Sequence, residues 1–188
     1  FKKIKKFSLR SSPPCSLNSI SFLENLEELY FSNYIDQTDP DCWNLPIFNK
    51  LKKINLSTYY PFMEQNPLTK SKTIKNIEKC KNLEDVNLNI GVTYNYDDSR
   101  WNTTDVDLTK FNELKRLKNL ELRSIDQTLI KNLSKLENLE ELEIINPYMI
   151  TEDSNSDDGT IHEPLTEDDF KFLNSAKKLK KLRIYFPR

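Results

Sequence analysis

An apolar-x-x-apolar-x-apolar hexad recurs seven times along the chain, and a repeat of this kind constrains the fold more than any other feature. The copies are Ile4–Leu9, Leu26–Phe31, Leu51–Leu56, Leu83–Leu88, Leu117–Leu122, Leu139–Ile144 and Leu179–Ile184. The later part of each copy, as in Glu28 to Ser32, alternates polar and apolar, the period-two signature of a short strand with one buried face. An apolar residue also stands three positions before each hexad: Phe1, Leu23, Phe48, Cys80, Leu114, Leu136 and Ala176. The spacing of three continues upstream through Leu17–Ile20–Leu23, Ile74–Ile77–Cys80, Leu108–Phe111–Leu114, Ile130–Leu133–Leu136 and Phe170–Leu173–Ala176. Read as a helical stripe, this predicts a unit of helix, tight turn and strand. Helices are expected over about 70–81, 108–117 and 127–138, with a brief helix or turn at 16–25. Thr166 to Asp169, a hydroxyl followed by acids, reads as a further helix start.

Such a unit cannot bury its own apolar face. Stacked in parallel, neighbouring units share one continuous core, and their strands form a parallel sheet. The hexads resemble the leucine-rich-repeat (LRR) superfamily, whose Leu-x-x-Leu-x-Leu consensus is met at all seven positions across essentially the whole chain. The resemblance implies an α/β solenoid or horseshoe, with a concave parallel β-sheet of about seven strands and convex helices and loops. It also implies a non-enzymatic scaffold that binds a protein or peptide. Two departures stand out. The family places Asn or Cys three residues after the hexad, as a ladder tying the loops; here those positions hold Ser12, Tyr34, Tyr59, Gly91, Ile125, Pro147 and Pro187. The hexads also start at uneven intervals, at 4, 26, 51, 83, 117, 139 and 179, which predicts an irregular horseshoe with protruding loops.

A chain of 188 residues fits a single domain, 1–188. The first strand has no capping element ahead of it, and an open edge invites pairing, so the expectation is a segment of a longer chain. Net charge of −1 gives no reason to expect nucleic acid or an anionic membrane as partner. No apolar run approaches the roughly 20 residues of a membrane-inserted helix. Lys and Asn are abundant, Gly occurs only at 91 and 159 and Ala only at 176, a bias that suggests an AT-rich genome. Of the three cysteines, Cys80 falls on the apolar stripe and reads as core, while Cys15 and Cys42 lie in loops, where pairing stays open.

The two residues after each first hexad apolar alternate in sign from repeat to repeat: Lys5-Lys6, Glu27-Glu28, Lys52-Lys53, Glu84-Asp85, Lys118-Asn119, Glu140-Glu141, Lys180-Lys181. In a parallel sheet they would stack as a ladder that fixes register, since cross-strand opposite charges attract and like charges repel. Slipping by one repeat would set Lys on Lys. Two outward columns remain for a partner. One holds Ser8, Tyr30, Asn55, Asn87, Glu121, Glu143 and Arg183; the next holds Arg10, Ser32, Ser57, Asn89, Arg123, Ile145 and Tyr185. Their polar middle suits hydrogen bonding to a protein or peptide, which singles out Tyr30, Asn55, Asn87, Asn89, Glu121, Arg123 and Glu143. A loop rim carrying Tyr34, Tyr59, Tyr60, Tyr94, Tyr96, Trp101 and Tyr148 adds a second candidate surface, because Tyr and Trp are enriched at binding hot spots. Tyr94, Tyr96 and Trp101 are its leading members.

Catalytic chemistry lacks its parts. His162 is the sole histidine, and two distant glycines make no phosphate-cradling loop, so no enzyme and no cofactor is expected. Asp153, Asn155 and Asp157 have the alternating oxygens of a calcium loop. Gly159 falls one position late and Pro164 stands where a bidentate Glu is required, so a solvated acidic loop is the expectation. The alternatives to a binding scaffold are a recognition or structural segment of a protein whose activity lies elsewhere, and a calcium-dependent surface or adhesion module. Neither compartment nor oligomeric state follows from the residues.

Overall fold

The computed structural model describes residues 1–10, 16–32, 44–58, 76–90, 93–95, 100–102, 108–123, 136–145 and 167–185. Each hexad supplies one strand: β1 Lys6–Arg10, β2 Glu28–Ser32, β3 Lys53–Thr58 and β4 Asp85–Ile90. A short ribbon of β5 Thr93–Asn95 and β6 Arg100–Asn102 follows, then β7 Asn119–Arg123, β8 Glu141–Ile145 and β9 Lys181–Tyr185. The seven hexad strands form one all-parallel sheet in the order β1-β2-β3-β4-β7-β8-β9, while β5 and β6 pair antiparallel by themselves.

Register follows the hexad residue for residue, as the apolar pattern requires. Leu29 pairs with Ile54, Ile54 with Val86, Val86 with Leu120, and Leu120 with Leu142. A slip of one residue would turn every buried side chain to solvent. The three hexad rows and the upstream row together make the core. Leu26, Leu29, Leu51, Ile54, Leu83, Val86, Leu88, Leu122, Leu139 and Ile144 are fully enclosed, and Leu23, Phe48, Cys80, Leu114 and Leu136 close it from the turn side. Cys80 is a buried free thiol, as its stripe position predicts; burial pushes its pKa up, and its Sγ lies 3.8 Å from the Pro46 carbonyl oxygen. Cys15 and Cys42 lie outside the described residues.

The convex elements differ from the expected helices. Among the described residues they are 3-10 turns: Leu17–Ile20, Ile77–Lys79, Leu108–Glu113 and Glu167–Ser175. The predicted helix starts at 70 and 127, and Thr166, lie outside the described residues. The spacing of three explains the difference. A 3-10 turn has three residues per turn and closes i to i+3 hydrogen bonds, so apolar residues three apart already share a face. In all seven repeats the amide of the first hexad residue donates to the carbonyl three positions back, from Ile4 to Phe1 (3.0 Å) through Leu83 to Cys80 (3.0 Å) to Leu179 to Ala176 (3.0 Å). The row that read as a helical stripe is this turn.

A second backbone device joins the repeats. The carbonyl of the residue after the first hexad apolar accepts two amides from the next repeat. Lys5 O takes the amides of Glu27 (2.7 Å) and Glu28 (2.9 Å), and Lys118 O takes those of Glu140 (2.7 Å) and Glu141 (2.9 Å). The backbone therefore fixes this corner, leaving the two side chains there free to carry charge.

Candidate functional site

The open face of the sheet carries the charge ladder. Glu27 sits between two cations, with Lys5 Nζ at 2.8 Å and Lys52 Nζ at 3.1 Å. Lys6 pairs with Glu28 (2.8 Å), Lys53 with Asp85 (2.6 Å), Lys118 with Glu84 (2.8 Å), Lys180 with Glu140 (2.6 Å) and Lys181 with Glu141 (2.6 Å). Hydrogen bonds from Lys5 and then Lys52 hold the Glu27 carboxyl down to about 2. Lys118 lowers Glu84 and Lys180 lowers Glu140 in the same way. Folded-state pKa values below the unfolded value stabilise the fold above the unfolded pKa, and that stabilisation fades as pH falls. Acid titration is thus expected to lower the melting temperature between about pH 4.5 and pH 2, the window set by Glu27. The same decline is expected to shrink in 1 M salt, because exposed pairs are screened. A melting temperature flat across that window would show that the ladder contributes nothing.

A further set of contacts lies one residue upstream of the hexad, where sequence reasoning did not look. Asn25 Nδ2 donates to the Lys2 carbonyl (2.8 Å), Asn82 Nδ2 to the Asn49 carbonyl (2.5 Å) and Asn138 Nδ2 to the Lys115 carbonyl (2.8 Å). Each amide oxygen accepts from a cation of the following repeat: Asn25 from Lys50 (2.6 Å), Asn82 from Arg116 (2.7 Å) and Asn138 from Lys178 (2.6 Å). One asparagine thus clamps three consecutive repeats. The signal was present, since the residue before the hexad reads Lys3, Asn25, Lys50, Asn82, Arg116, Asn138, Lys178. The amide support that the LRR pattern places after the strand stands here before it, in every second repeat.

Register brings most of the sequence-predicted site residues together. Tyr30, Asn55, Asn87, Glu121 and Glu143 form one cross-strand column, and Asn89 and Arg123 adjoin it in the next. All are half-buried except Arg123, which is exposed. Several are held in place. The Tyr30 hydroxyl donates to Glu28 (3.4 Å) and Asn89 Nδ2 to the Ser57 hydroxyl (3.4 Å). Asn87 Nδ2 and Arg123 Nε both donate to the Glu121 carboxylate, and Arg183 pairs with Glu143 at 3.4 Å. The middle of the face is a surface of amides, hydroxyls and paired charges.

Of the aromatic rim, Tyr94 and Trp101 lie among the described residues. Tyr94 and Trp101 fall on β5 and β6, whose register sets them opposite each other. Tyr96, Tyr34, Tyr59, Tyr60 and Tyr148 lie outside the described residues, as do Asp153, Asn155 and Asp157. No helix among the described residues is long and apolar enough to cross a membrane.

Neither a protein-family model nor a curated relative matches the sequence. Solved structures do. Internalin C2 from Listeria monocytogenes superposes with a TM-score of 0.57 at 22% identity, over 96% of this chain and 61% of that one. An LRR protein of Leptospira interrogans superposes with a TM-score of 0.50 at 16% identity, over 99% of this chain and 45% of that one. The chain thus spans less than two thirds of the length of either protein. With seven in-register parallel strands, a turn-built convex side and these two structural neighbours, the chain has the leucine-rich-repeat solenoid fold.

Proposed function

We propose that this chain is a non-enzymatic binding scaffold that recognises a protein or peptide through the open face of its sheet. The observation that carries the reading is the cross-strand column Tyr30–Asn55–Asn87–Glu121–Glu143 with Asn89 and Arg123 beside it. These side chains belong to strands fixed by backbone pairing, so little order has to be imposed on them when a partner docks. Amides and hydroxyls with one bond made keep further donors and acceptors for a ligand. Tyr94, Tyr96 and Trp101 are the second candidate surface that the sequence offers.

The test compares partner capture by the wild-type chain, an Asn55→Ala/Asn87→Ala/Asn89→Ala variant and a Tyr94→Ala/Tyr96→Ala/Trp101→Ala variant, all matched for circular dichroism and melting temperature. Lys110→Ala on the convex side serves as control. Truncation at a hot spot is expected to weaken binding by about tenfold or more. A protein held by wild type and control and lost by the sheet-face variant supports the reading. Capture unchanged in all variants would remove both surfaces from consideration.

A further inference from the structure

We infer that the seam between β7 and β8 is the joint of this solenoid, where the sixth and seventh repeats part from the first five as one unit. In a stack of repeats each unit touches only its neighbours, so the weakest interface decides where the array opens. Among the described residues, five of the six seams carry an ion pair across them. These are Lys5–Glu27 and Lys6–Glu28 at the first, Lys52–Glu27 at the second, and Lys53–Asp85 at the third. Lys118–Glu84 crosses the fourth, and Lys180–Glu140 and Lys181–Glu141 cross the sixth. The fifth, between β7 and β8, has none among the described residues.

Register shows why. Asn119 stands opposite Glu141, at the rung where the alternation calls for a cation, and on its other side it faces Asp85. Two positions along, Glu121 stands opposite Glu143, and like charges directly opposite are unfavourable. Their partners turn away from the seam. Glu121 is held by Arg123 of its own strand and by Asn87 of β4, whereas Glu143 is held by Arg183 of β9. Lys118 stays with Glu84 and attracts Glu140 only at longer range. A cavity of about 80 Å³ opens over this rung, lined by Asp85, Asn119, Glu121, Glu141, Glu143 and Lys181. Among the described residues, what crosses the seam is the backbone ladder, the apolar rows and the Asn138 bond to the Lys115 carbonyl. The seam is closed in the folded protein, and among the described residues it is the one seam that no ion pair crosses.

Amide hydrogen exchange on the full chain under native conditions tests this. The expected pattern is one shared protection for β8 and β9, about two- to tenfold below that of β2 to β4, the size of effect that missing cross-strand pairs produce. Simple fraying would give protection falling strand by strand toward β9, and that gradient would overturn the joint. Asn119→Lys supplies the absent rung between Asp85 and Glu141. It is expected to raise β8 and β9 together by a similar factor and leave β2 and β3 unchanged. Glu121→Gln, which removes the like-charge opposition, is expected to move them in the same direction and serves if the lysine variant misfolds. No change at β8 and β9 in the folded variants, or an equal rise in every strand, would refute the inference.

Discussion

Leu88→Ala is expected to destabilise the fold by about 3–5 kcal/mol, the upper part of the range for a buried leucine truncated to alanine. Leu88 is fully buried at the centre of its apolar row, flanked in register by Leu56 on one side and Leu122 on the other. Both flanking strands are pinned to β4 by ladder hydrogen bonds, so the hole cannot close by moving a strand inward. The cost therefore contains the lost transfer of the side chain and most of the cavity term. Because β4 is bracketed by repeats on both sides, the change weakens two interfaces at once. For a chain of this size the expected fall in melting temperature is about 6–20 °C. In urea titration followed by circular dichroism the midpoint should drop with little change in slope, provided unfolding stays cooperative. Asn89→Ala, one residue away on the open face, should cost well under half as much. A Leu88→Ala loss below about 1 kcal/mol would mean that this row is not the packed core described here.

The contrast between Leu88 and Asn89 marks what could be read from the residues. Alternation of period two names the buried face of each strand directly, and equivalent hexad positions can be paired in only one register without exposing leucine. The sheet, its core rows and the buried state of Cys80 were legible for that reason. The convex side was not, because a spacing of three satisfies an α-helical face and a 3-10 turn alike. Only the i to i+3 bonds, such as Leu51 to Phe48 at 3.2 Å, decide between them. The β5–β6 ribbon was missed because strands of three residues are too short to show a period. Alignment of the candidate side chains into columns was legible too, since columns follow from register. Which column would meet a partner depends on the shape and charge of that partner, and no spacing within this chain encodes it.

Asn82→Asp is the sharpest test of the clamp, because charge and hydrogen bonding predict opposite outcomes for it. Asn82 Nδ2 donates to the Asn49 carbonyl in the preceding repeat and its Oδ1 accepts from Arg116 in the following one. An aspartate would improve the second contact by turning it into a salt bridge. It would also replace the donor with a carboxylate oxygen held against a carbonyl oxygen. Asn49 is exposed, so loss of the donor costs about 0.5–1.5 kcal/mol, to which the oxygen-on-oxygen repulsion adds, whereas an exposed ion pair returns about 0–1 kcal/mol. The clamp therefore predicts net destabilisation by Asn82→Asp, of at least the size caused by Asn82→Ala. The equivalent changes at Asn25 and Asn138 should behave alike, since they make the same pair of bonds one clamp away on either side. Neighbouring clamps stand two strands apart, roughly 10 Å, so the three substitutions should add nearly independently. An Asn82→Asp chain as stable as wild type in urea would show that the asparagine serves Arg116 alone. The alternation of amide and cation would then be only another column of the charge ladder, and would not tie the repeats together through their backbones.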